Sequence, residues 1–171
     1  KMMKNTIKVF VLVALTLAAM SVSAQVKLGH IETQKLIQAM PEWTAAQKTF
    51  EEEQKKVNTE LNGLREQFQT KSAEYSEKMK TYSEAMRATT EEELQGLQQR
   101  IQRFQETAMA QLEKTQNDLM QPVMEKALNA IKEVGKENGF TYIFDMNAGI
   151  LYAAENSQDV LPLVKKKLGL Q

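Results

Sequence analysis

From Trp43 to Val134 the chain repeats one pattern. Apolar side chains fall at 43, 50, 57, 61, 64, 68, 75, 79, 82 and 86. A second run follows at Leu94, Leu97, Ile101, Phe104, Ala108, Leu112, Leu119, Val123, Ala127, Ile131 and Val134. The steps are threes, fours and sevens, the spacing of a heptad seam between packed helices. Such a pattern commits this part of the chain to long helices that lie along one another.

Between the two runs stands "RATTEEEL" (87–94). Thr90 and Glu93 match a capping box, and Glu91, Glu92 and Glu93 would fill a first turn, where negative charge complements the helix dipole. The seams are also mirror images about residue 90. Met86 with Leu94, Met79 with Ile101, Phe68 with Leu112 and Leu61 with Leu119 all sum to 180. Both features predict an antiparallel helical hairpin with its tip near 88–90. A parallel coiled-coil dimer requires neither. The first arm, 43–87, would be ~68 Å long at 1.5 Å per residue. Gly63 and Gly96 each weaken an arm by about 1 kcal/mol relative to Ala. Pro122 removes a hydrogen bond inside the second and predicts a bend near 118–122.

The flanks read differently. "KMMKNTIK", "VFVLVALTLAAM" and "SVSA" have the order of a cleaved export signal over 1–24, with the mature chain starting at Gln25. Loss of Lys1, Lys4 and Lys8 leaves 19 basic and 22 acidic residues, which gives no basic face for nucleic acid. "QVKLGHIE" (25–32) predicts a strand, and "TQKLIQAM" a short helix capped by Thr33. After the expected bend the second arm carries two apolar stripes, so it is buried on two sides. Gly139 is the expected end of that helix. Phe140–Met146 and Ile150–Ala154, joined by "NAG", predict a β-hairpin, and Ser157 or Asp159 should cap a last helix containing Pro162.

A sheet of three short strands is marginal alone. Phe140, Tyr142, Ile143, Phe144, Ile150 and Tyr152 put apolar side chains on both of its faces, and a face that needs covering twice points to copies of the same chain. These six are the candidate oligomer interface. Of the methionines, Met79 and Met86 fit the hairpin seam together with Tyr82, while Met109 lies beside it. Methionine suits promiscuous contact surfaces, and Met79, Tyr82, Met86 and Met109 are the candidate client-binding residues. There is no Cys and one His, His30. With no nucleophile–base set, phosphate loop or metal-spaced cluster, catalysis, cofactors and metals are not expected.

The order of these elements resembles the Skp (OmpH-like) family of periplasmic chaperones. The resemblance spans essentially all of the mature chain and rests on the export signal, "VKLGHIETQKLIQAMPE", the long charged hairpin, "MQPVMEKALNAIKEVGKENGFTYIFDMN" and "ILYAAENSQDVLPLVKKKL". It implies a mainly α chain with a small β body: body residues 25–42 and 123–171, and a helical tentacle over 43–122. It further implies a periplasmic homotrimer whose tentacles surround a cavity, and ATP-independent holding of unfolded outer-membrane proteins. Familiar members are strongly basic. Here Arg87 alone faces Glu84, Glu91, Glu92 and Glu93 around the expected tip, which argues against tip contact with lipopolysaccharide or anionic membrane. The rival reading is a coiled-coil spacer or adaptor of the cell envelope, which leaves the glycines, proline and methionines of the arms unexplained.

Overall fold

The computed structural model describes residues 26–154 and 157–170, so the expected export segment lies outside it. Two helices dominate: α2 (Pro41–Lys78, 38 residues) and α3 (Glu84–Glu137, 54 residues). At 1.5 Å per residue they run ~57 and ~81 Å. Tyr75 hydrogen-bonds Glu91, Lys71 pairs with Glu93, and Glu42 at the start of α2 pairs with Lys126. Position rises along one helix as it falls along the other, so the chain doubles back on itself.

The reversal is at Met79–Ser83, not at 88–90. Ser83 is the N-cap of α3, and its Oγ accepts from the Met86 amide at 3.3 Å. Thr90 lies inside the helix, its hydroxyl donating to the Met86 carbonyl at 2.8 Å. The observed cross-helix pairs sum to 166, 164 and 168, against the expected 180. The offset is close to two heptads. A seam that repeats every seven residues pairs almost equally well after such a slide, so the mirror pattern alone does not fix the tip. Pro122 does not end the second arm: α3 continues through it.

The base of the hairpin is built into a small body. Strand β1 (Leu28–Ile31) is central, with β2 (Tyr142–Asp145) and β3 (Gln158–Asp159) on either side, both parallel to it. The expected β-hairpin is not formed. Ile150–Ala154 lies outside any strand. The end of β2 is already engaged elsewhere: the Met146 amide donates to the Ile31 carbonyl at 2.8 Å, extending the parallel ladder. The Asp145 carboxylate accepts from the amides of Asn147 (3.0 Å) and Thr33 (3.3 Å). Thr33 is thus the first residue of α1 (Thr33–Gln38) and not its cap; Asp145, from β2, puts its negative charge at that helix start.

Beneath the sheet, α1, the last turns of α3 and α4 (Leu161–Lys167) enclose one core of Ile31, Leu36, Met40, Val123, Ala127, Ala130, Val134, Val160 and Val164. Gly29 lets β1 approach closely, since a Cβ there would lie 2.8 Å from the Phe140 ring. Gly139, at φ 68°, ends α3: its amide donates to the Lys136 carbonyl, and that of Phe140 to the Gly135 carbonyl at 2.9 Å. Asp159 accepts the Leu161 amide at 2.8 Å at the start of α4. Away from the body, the arms bury little of themselves; Ala46, Leu64 and Ala108 are the buried apolar residues there.

Candidate functional site

Two surfaces carry the candidate residues, apart from Met124 and Leu128, which are exposed on the body end of α3. One is the outer face of the sheet. Strand alternation places Leu28 and His30 of β1 on that side, in register with Tyr142 and Phe144 of β2. Gly29, Ile31 and Ile143 point the other way, toward the core. Leu28, Tyr142 and Phe144 are exposed, and the two rings stack with centroids 6.1 Å apart. His30 shares a hydrogen bond of 2.8 Å between its Nδ1 and the Ser157 hydroxyl. Leu151 and Tyr152 stand exposed in the segment after β2.

The six candidate interface residues therefore separate. Tyr142, Phe144 and Tyr152 face solvent. Phe140 and Ile143 pack against the chain's own core, with the Lys27 ammonium 4.2 Å from the Phe140 ring centroid. Ile150 is half-buried. Val26 and Leu28 are also exposed, Leu28 in register with Tyr142; Leu28 is two residues from His30, so strand alternation could have found it.

The second surface is the arms. Met79 and Met86 flank the turn and are exposed, with Tyr82 half-buried between them and its ring 6.3 Å from that of Tyr75. The structure thus brings three of the four candidate client-binding residues together at the tip. The fourth, Met109, lies far down α3 on the lip of a groove between the arms. Val57, Leu61, Phe104, Ala108 and Leu112 line that groove. Heptad logic alone assigns these to a closed seam. They line an open groove because two arms without a third helix cover only one side of each seam residue.

Nearer the tip, Gly63 and Gly96 border a polar cleft with Glu66, Lys71, Glu74, Glu93 and Arg100. Neither glycine has an atom within 4 Å of the place its Cβ would take. The Glu91 carboxylate, hydrogen-bonded to Tyr75, pushes that phenol above its usual range. At the base of the arms, the hydrogen bond from Lys126 and then Glu42's own amide hold the Glu42 carboxyl below the ordinary carboxylate range.

Moving the tip changes its charge. Lys78, Lys80 and Arg87 now stand against Glu77 and Glu84 around the turn, while Glu91 and Glu93 point along the shaft toward α2. The tip is not acidic, and the charge argument against its contact with an anionic surface falls. Among the described residues no helix is long and apolar enough to cross a membrane.

The family model described as "Outer membrane protein (OmpH-like)" matches residues 27–168. Among solved structures, the chain is similar to a candidate outer membrane chaperone (OmpH-like) from Caulobacter crescentus, with a TM-score of 0.74, 17% identity and 85% of each chain covered. No curated protein sequence matches.

Proposed function

We propose that this protein, which belongs to the OmpH-like outer membrane protein family, is a periplasmic holdase: it binds unfolded outer-membrane β-barrel proteins and keeps them from aggregating, without nucleotide. The observation that carries this reading is the pair of long arms whose apolar side chains the chain itself leaves uncovered, from the Met79–Met86 tip to the groove at Met109. Unfolded barrel strands alternate polar and apolar residues. A surface of scattered apolar contacts among charges of both signs holds such a chain by many weak interactions, none of which needs a fixed geometry.

The body supplies the base. Leu28, Tyr142 and Phe144 make an apolar face that a homotrimer would bury, leaving three hairpins to surround a cavity. The buried residues of the body core fall within 31–40, 123–134 and 160–164, so the arms beyond their base can adjust without disturbing it.

The test is to shorten the arms in register. Removing 68–96 and joining Gln67 to Leu97 through a short turn keeps the observed pairing. The shortened protein should stay oligomeric and lose its hold on large clients. Full holding by the shortened protein would favour a spacer whose arms do not contact clients.

A further inference from the structure

The export signal aside, the chain carries seven methionines and no cysteine, so sulfur oxidation falls on thioethers alone. The structure sorts these sulfurs sharply. Met109 is 74% exposed, Met86 54% and Met79 41%, whereas Met40 in the body core is 1% exposed. Three of the four exposed methionines are on the arms, two beside the turn and one on the lip of the apolar groove next to Phe104 and Leu112; the fourth, Met124, is 47% exposed at the base of α3.

We propose that Met79, Met86 and Met109 are modification sites at which hydroperoxides switch off the grip of the arms on apolar client segments, an inference that rests on the holdase reading above. The sulfur lone pair takes the terminal oxygen of the hydroperoxide as the O–O bond breaks. Methionine loses two electrons and becomes the sulfoxide, and the peroxide is reduced to water or an alcohol. No other bond of the protein changes, and the step reverses by reduction of the sulfoxide. A flexible apolar side chain thereby becomes a polar one. At Met109 that puts an S=O dipole on the groove's rim; at Met79 and Met86 it puts two on the tip. The fold is spared because Met40, the methionine inside the core, is out of reach and Met124, at the base of α3, points a sulfoxide into solvent.

Hydrogen peroxide is the probe. The purified protein is treated for increasing times, and peptides are mapped by mass for the gain of one oxygen. Met109 and Met86 should be modified at least about tenfold faster than Met40, following exposure. The treated protein should keep its far-UV circular dichroism and lose aggregation-suppressing activity severalfold. A Met79→Leu/Met86→Leu/Met109→Leu variant, apolar but without sulfur at these positions, should show the same holding after treatment as it shows before it. Equal oxidation of Met40 and Met109, undiminished holding by the oxidised protein, or equal loss in the leucine variant would each overturn the proposal. Failure of the untreated protein to hold any client would instead sink the holdase reading and the switch with it, while the order of oxidation would still report on the exposure of the arms.

Discussion

Phe144→Asp and Ile143→Asp are neighbours with different expected outcomes. In the single chain Tyr142 is 60% and Phe144 44% exposed. Aromatic side chains bury ~150–250 Å² each, so the two rings leave about 200 Å² open per chain. At ~25 cal/mol/Å², covering it in an oligomer contributes about 5 kcal/mol per chain, of which about 2 kcal/mol comes from Phe144. An aspartate at 144 forfeits that and places an unpaired carboxylate in the interface, costing at least about 2 kcal/mol more. A loss of about 4 kcal/mol weakens association roughly a thousandfold. The monomer would still fold, since position 144 is solvated there. Ile143 faces the chain's own core, with its Cδ1 3.3 Å from where a Gly135 Cβ would sit. Aspartate at 143 should therefore unfold the body. Sedimentation velocity with far-UV circular dichroism separates the two. An unchanged oligomer in Phe144→Asp, or a folded monomer in Ile143→Asp, would refute the division of the sheet into an outer and an inner face.

The hairpin register predicts that Leu61→Cys with Phe104→Cys, which line one groove, is joined within one chain by a short bismaleimide. Leu61→Cys with Leu119→Cys is not, because 15 residues of helix put Leu119 ~22 Å beyond Phe104. Leu36→Ala, at a fully buried site, should destabilise the body by about 2–5 kcal/mol; Met109→Ala, at an exposed one, should change stability by under about 0.5 kcal/mol. Thermal melts of both variants check this. The depressed Glu42 carboxyl makes its ion pair with Lys126 a stabilising contact above the unfolded glutamate value of about 4.3, and that contribution is lost as pH falls through the lower folded value. Glu42→Gln should lower the melting temperature slightly at neutral pH and not at pH below the folded value, the effect being small as for other exposed pairs.

The helices and their amphipathic faces are legible in the sequence because heptad spacing is a local signal. Their register is not, because sliding by two heptads preserves the pattern. Thr90-x-x-Glu93 is a stronger capping motif than the Ser83 that caps the helix, since Ser83 has no glutamate three residues on. Strand β2 shows in the alternation of Tyr142, Ile143 and Phe144, and the same alternation divides its two faces. Strand β3, Gln158–Asp159, has no apolar signal at all; it is a strand because it meets the free edge of β1. Parallel pairing is likewise set by where the hairpin returns the chain, a property of distant parts of the sequence. Of the candidate sites, Met109 shows its exposure by lying off the seam, whereas the open groove beside it depends on how little two arms can cover.

Holding is read directly by mixing the purified protein, free of nucleotide, with a urea-denatured outer-membrane β-barrel protein on dilution and weighing the products by native mass spectrometry. A holdase gives a soluble complex of one client with one oligomer, and suppressed light scattering in the same mixture. Precipitation of the client as if alone, with the oligomer recovered empty, would contradict it.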